Sequence, residues 1–288
     1  MTQPMTQSMP QPMPQPAPAS ALAVARNRAA LMEELRRLLP GMADSRKTLP
    51  FGLAALDSCL PEGGLPCGAL HEVVPAPYGI PAAFGFIAAI LGRISSPPPP
   101  GPRLRAPEWG RVFLVLPAYG FREYGRLHGH GLKNLGLDPA RLVLVETAHR
   151  RDTLWAIEEA LRSGAPAAIA AMIDKLDLKT SQRLHLAATD CGLPLFLLRP
   201  AQNLESSAAA TRWRVGTAEA ARDRFGLVAR PRWHLQLERA RNGRPGEWVV
   251  EYDHVAHRFS LAAALADPAR ARGANEKNEK ADRNAHCA

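Results

Sequence analysis

From Ala69 to Arg199 the chain repeats one pattern, a short and largely apolar run followed by a longer stretch with helical spacing. The runs are Ala69–Val74, Val112–Leu116, Leu142–Val145, Ala168–Ile173 and Pro194–Leu198. A strand with one wet face alternates apolar and polar residues, whereas a strand covered on both faces has no need to. Five such runs separated by helices predict an α/β fold, a mostly parallel sheet flanked by helices. One predicted helix spans Thr153–Arg162, with Asp152 as N-cap, Leu154, Ile157 and Leu161 on one face, and Gly164 just past its end. Another runs from Thr180 to Asp190, with Gly192 as its stop.

After Arg199 the pattern changes. Ala201–Ala210 reads as a polar loop of small residues. Trp233–Leu237 alternates as a strand should, and the turn Arg239–Gly246 leads into Trp248–Asp253. This predicts an antiparallel C-terminal extension on the parallel sheet. The segment Ser96–Pro102, four of whose residues are consecutive prolines, reads as a stiff exposed linker.

The expected organisation has four parts. Residues 1–21 form a Pro/Gln/Met-rich arm with too little apolar surface to order itself, and 22–41 an amphipathic helix. Residues 45–264 form one domain, and 265–288 a charged, disordered tail. In the helix Leu31, Leu35 and Leu38 share a face, which either packs on the chain's own core or docks into a neighbouring protein. A core of about 210 residues buries roughly 70% of its unfolded surface, so one domain suffices.

The charged residues number 36 basic against 27 acidic, a net charge of +9. A basic surface favours nucleic acid or an acidic protein without choosing between them. The four cysteines (Cys59, Cys67, Cys191, Cys287) form no C-x-x-C pair, which fits reduced, structural thiols. The uncharged first 25 residues lack the basic start and apolar run of a signal peptide, and there is no apolar run long enough to span a membrane. The expectation is a cytoplasmic protein.

The turn after the first strand constrains the chemistry. A phosphate-binding loop reads G-x-x-x-x-G-K-[ST]: its N–H groups cradle phosphates, its Lys reaches the outer ones and its hydroxyl holds magnesium. This chain has Pro75-Ala-Pro-Tyr-Gly-Ile-Pro-Ala-Ala83 there, and no lysine between Thr48 and Leu132. Proline lacks the N–H and fixes φ. Losing the Lys, the hydroxyl and a backbone donor removes roughly 4–9 kcal/mol of binding. That is on the order of a thousandfold to a millionfold in affinity. No bound cofactor is expected.

Residues 48–74 carry the order G-x-x-x-L-D, G-G-L-P and x-G-h-h-x-E, with h apolar, and so resemble the segment that leads into the nucleotide loop of RecA-type recombinases. On that pattern Pro75 stands at the first loop glycine, Gly79 lies within the loop, Pro81 stands at the lysine and Ala82 at the hydroxyl. Leu154-Trp-Ala-Ile-Glu-Glu-Ala-Leu-Arg-Ser-Gly164 and Ala210-Thr-Arg-Trp-Arg-Val215 resemble the ImuA family. The likeness spans about 45–255. It implies a RecA-like core and a non-catalytic accessory role in SOS-induced translesion synthesis. It also implies partners: a polymerase-like mutagenesis protein and an error-prone DNA polymerase, with RecA and single-stranded DNA as further candidates. An ATP-dependent RecA-like DNA-binding enzyme is the alternative, and a SulA-like cell-division inhibitor the third option.

Other constellations read plainly. RecA-like enzymes carry a catalytic carboxylate just after their second strand; here the first one is Glu123, beyond Pro117-Ala-Tyr-Gly-Phe-Arg122. Asp174 holds the position usual for the magnesium side, and equally suits a strand-end turn. His71-Glu72 is followed by Pro75 where H-E-x-x-H needs its second His, and no further ligands lie near His128 and His130. No catalytic or metal-binding residue is expected. Arg212, Arg214, Arg239, Arg241 and Arg244, interleaved with Trp213, are candidates for contact with DNA or a partner. The plainer reading is a strand whose Trp213 packs inward while the arginines solvate the surface.

Overall fold

The computed structural model describes residues 48–95, 110–118, 123–199, 206–222 and 225–262. The predicted 22–41 helix with Leu31, Leu35 and Leu38, the Ser96–Pro102 linker, the N-terminal arm and the C-terminal tail lie outside the described residues.

The five apolar runs form strands β1 (Leu70–Pro75), β2 (Val112–Pro117), β3 (Leu142–Thr147), β4 (Ala168–Met172) and β5 (Leu195–Leu198). Helix α1 (Ile80–Ser95) follows β1, α2 (Arg150–Ser163) follows β3, and α3 (Leu178–Cys191) follows β4. The chain then adds β6 (Thr211–Thr217), β7 (Arg232–Ala240), β8 (Gly246–Asp253) and β9 (Arg258–Leu261). Together they make one sheet in the order β9-β8-β7-β6-β1-β5-β4-β2-β3. Pairing is parallel from β3 across to β6, then antiparallel through β7, β8 and β9. The fold is α/β with an antiparallel extension, and no helix among the described residues is long and apolar enough to cross a membrane.

Each face of the sheet has its own core. Val73, Leu114, Phe196, Trp213 and Leu235 face α1, whose alanines and glycines permit close approach. A Cβ on Gly92 would come within 2.6 Å of the Gly136 carbonyl carbon, so only glycine fits there. Aromatic rings fill the space between α1 and the antiparallel half: Phe51, Phe86, Trp213, Trp233, Tyr252 and Phe259, with centroids 5.2–6.3 Å apart. Leu70, Val115, Ile169, Leu195 and Leu197 face the other way, against α2 and α3.

Gly164 (φ +62) and Gly192 (φ +70) end α2 and α3 in the left-handed conformation, as their positions predict. The predicted N-cap of α2 is corrected: the helix starts three residues earlier, His149 stands at the cap, and Asp152 lies in the first turn. The N-cap of α3 is Asp177, which accepts from the Thr180 N–H at 2.8 Å and the Thr180 hydroxyl at 2.9 Å. The loop expected at Ala201–Ala210 is not a solvated one in its described part. Ser207, Ala209 and Ala210 are buried, because Ala210 N–H donates to Leu70 O and Ala208 N–H to Ser181 Oγ.

Two buried polar groups sit inside β1. The His71 Nδ1 lies 2.8 Å from Thr211 Oγ1, and its Nε2 lies 2.9 Å from Pro66 O. Trp213 Nε1–H donates to the same Thr211 hydroxyl at 3.0 Å. The chain of bonds closes if the hydroxyl donates to Nδ1 and Nε2–H donates to Pro66, which is the neutral imidazole. Glu72, on the opposite face, is fully buried and accepts from Arg199 of β5's end (2.8 Å) and from Arg212 of β6 (2.7 Å). One carboxylate therefore joins β1 to both its neighbours.

Burial pushes the His71 pKa down from 6.5 to about 4. The unfolded chain then binds the extra proton first, so stability is full above about pH 6.5 and falls as pH drops towards about 4. The loss reaches about 3 kcal/mol. Thermal melts between pH 7 and 4 should show it, and His71→Gln should flatten that slope. Glu72→Ala strands two guanidinium groups in the core and should cost about 3–5 kcal/mol in denaturant unfolding.

Candidate functional site

In this fold class ligands bind beyond the carboxyl ends of the parallel strands. At that edge β1 ends in Pro75, and a turn through Ala76, Pro77, Tyr78 and Gly79 leads into α1. Pro75, Pro77 and Pro81 contribute no N–H. Two of the remaining N–H groups are committed: Ala76 donates to Val215 O and Gly79 to Ala76 O, each at 2.8 Å. A Cβ on Gly79 would approach Ala76 O to 2.8 Å and Val215 O to 3.0 Å, so the turn lies directly against β6. Tyr78 has φ +58 and is 99% exposed at its tip. Ala82 is buried in the first turn of α1. The turn thus ties β1 to β6 and presents an aromatic side chain to solvent, where a phosphate cradle would present amides.

Around it, Pro117 ends β2, Glu123 is exposed, and Asp174 accepts from the Lys175 N–H at 2.8 Å in a strand-end turn. The His128 and His130 rings lie 5.4 Å apart, and among the described residues no group of three metal-ligating side chains converges.

The five candidate arginines sit on β6, on β7 and in the turn between β7 and β8. Arg212 and Arg239 stand opposite each other on β6 and β7, and both donate to Ser207 Oγ (3.2 and 3.3 Å). Arg212 also holds Glu72, and Arg239 also donates to the Ser207 and Ala209 carbonyls at 3.0 and 2.9 Å. Burial, and then the Arg212 charge, hold the Arg239 pKa below the usual guanidinium value. Arg214 pairs with Glu238 at 2.5 Å. Arg241 and Arg244 sit in the β7–β8 turn at the opposite edge of the sheet, donating to Ala208 O (3.3 Å) and Ser58 O (3.5 Å). Each of the five has an acceptor within the chain. Trp213 packs inward, 1% exposed, as the plainer reading of its strand had it.

Sequence reasoning passed over Arg199, which is 1% exposed and whose Nε has no hydrogen-bond partner among the described residues. Its signal was a charge at the end of one apolar run, matched by the opposite charge inside another. It also passed over Phe225, Leu227 and Val228, which are exposed on the hairpin formed by Ala221–Arg222 and Val228–Arg230. Three apolar residues around a glycine gave no sign of which way they point.

No family model matches the chain. Two relatives do: Protein ImuA of Caulobacter vibrioides strain NA1000 / CB15N and Protein ImuA of strain ATCC 19089 / CIP 103742 / CB 15. Each is 33% identical over 239 residues, covering 76% of this chain and 90% of the relative. That extent takes in the strand–turn–helix frame and both motif segments at the scale of a whole protein, and the chain belongs to the ImuA family.

Proposed function

We propose that the protein is a non-enzymatic, RecA-like assembly factor of DNA-damage-induced mutagenesis. It works by surface complementarity, docking to a polymerase-like mutagenesis protein and thereby to an error-prone DNA polymerase in translesion synthesis. RecA and single-stranded DNA are secondary contacts in this reading, and the site of action is the cytoplasm. Membership of the ImuA family supports the pathway. The observation that carries the absence of catalysis is the turn at 75–82. Prolines replace three donors, Val215 O and Ala76 O take up two more, and neither a lysine nor a Ser or Thr hydroxyl stands at the start of α1 to meet a phosphate and its magnesium.

Nucleotide affinity follows from that inventory. Calorimetry with magnesium-ATP should show binding no tighter than roughly millimolar. Micromolar affinity, or steady phosphate release, would instead favour an ATP-dependent enzyme. The purified chain should also co-elute with its polymerase-like partner in gel filtration, with no nucleotide added. Separate elution at micromolar concentrations of both would sink the assembly role.

A further inference from the structure

Two exposed apolar features leave neighbouring strands at the same edge of the sheet. Tyr78 stands at the tip of the turn after β1, in left-handed backbone that a non-glycine residue seldom adopts. The paired short strands Ala221–Arg222 and Val228–Arg230 follow β6, and Phe225, Leu227 and Val228 are 71%, 65% and 63% exposed. Since β1 and β6 are parallel neighbours, both features lie beyond the same strand ends, and a Cβ on Gly216 would touch Ala76. The base of the hairpin is braced. Arg230 pairs with Asp253 (3.2 Å) and Glu251 (3.7 Å), and Ala218 N–H donates to Arg232 O. Gly226 takes φ +77, and Arg222 donates to its carbonyl oxygen at 2.8 Å. Large apolar side chains exposed at one edge of a sheet on a braced support mark an interaction surface.

We propose that this edge, Tyr78 together with Phe225, Leu227 and Val228, inserts into an apolar groove with an acidic rim on a partner protein. The proposal rests on the assembly reading above and names the face that reading needs. The chemistry favours protein over DNA. Single-stranded DNA binds by base stacking on aromatic rings and by phosphate contact, and Leu227 and Val228 have no ring to offer. The nearby guanidinium groups are turned to internal carboxylates, Arg214 to Glu238, Arg230 to Asp253 and Arg232 to Glu251. Exposed Arg222 beside the tip, and the net charge of +9, match an acidic rim.

The test titrates the full chain against the purified polymerase-like protein, comparing it with a variant carrying Tyr78→Ser, Phe225→Ser and Leu227→Ser. Affinity should fall about a hundredfold or more, as when central aromatic anchors are removed, with the melting temperature unchanged. If the triple variant fails to fold, the single changes Tyr78→Ser and Phe225→Ser, on separate elements, should each weaken binding about tenfold. Undiminished binding by the variants overturns the docking face and leaves the assembly reading standing. Failure of the unaltered chain to bind overturns the assembly reading itself. An oligo-dT probe and sedimentation of the chain alone complete the test. If the substitutions instead reduce oligo-dT binding or dissolve a self-associated species, the face belongs to DNA or to a second copy, and the proposal falls.

Discussion

Glu72 occupies the centre of the sheet with no exposure to water, and the arrangement of the strands turns on it. A carboxylate taken out of solvent is costly unless paired, and here Arg199 and Arg212 reach it from the two flanking strands. The alternative strand neighbours for β1 would each leave at least one of these charges buried and alone. Apolar runs such as Val112–Leu116 and Ala168–Ile173 are nearly interchangeable by hydrophobicity. The ion triad distinguishes β1, β5 and β6 from them, so it specifies order as well as contributing stability. On the other face of the same strand, His71 and Thr211 make a neutral counterpart, joining β1 to β6 by a second hydrogen-bonded pair.

The two halves of the sheet are covered differently, and that follows from their connections. Parallel strands need crossovers, which lay α1 on one face and α2 with α3 on the other. Antiparallel β7, β8 and β9 need only turns, so no helix comes with them. Their α1 side is closed by aromatic rings, and their other side shows the alternation of a half-wet sheet: Trp233, Leu235 and Leu237 inward, His234, Gln236 and Glu238 outward. The outward row pairs with its neighbours, Arg214 with Glu238, Arg232 with Glu251 and His234 with Glu247. The arginines of this region thus divide between cross-strand carboxylates and backbone carbonyls of neighbouring segments.

Periodicity made the central strands, α2, α3 and the antiparallel extension legible, because burial on two faces or one writes itself into the residue pattern. Helix ends were legible where glycine had to go left-handed, at Gly164 and Gly192. The start of α2 was not, since a side-chain cap is optional and His149 provides none. The buried course of Ser207–Ala210 was also hidden, because small residues suit a solvated loop and a tight passage equally well. For the candidate site, the missing lysine and hydroxyl could be read directly, whereas the fate of the amides could not. That depends on the Ala76–Val215 bond, between residues more than a hundred positions apart. The partners of the candidate arginines were hidden for the same reason: Arg212 and Arg214 meet carboxylates on other strands, and Arg239, Arg241 and Arg244 meet backbone carbonyls distant in sequence.

The turn between β1 and α1 is closed by bonds within the chain. In a nucleotide-binding protein the amides of this loop stay open, because the ligand completes their hydrogen bonding. Here Val215 O accepts from Ala76, Ala76 O accepts from Gly79, and Gly79 O accepts from Ala83, so three amides of the joint find their acceptors within the chain. Gly79 is required by the closeness of that packing rather than by an approaching phosphate. The joint is held by internal bonds that no ligand must complete, and its outer surface becomes available for side chains with another purpose. Tyr78 is held outward at the edge where this fold class ordinarily receives a small molecule, and its ring is presented to solvent.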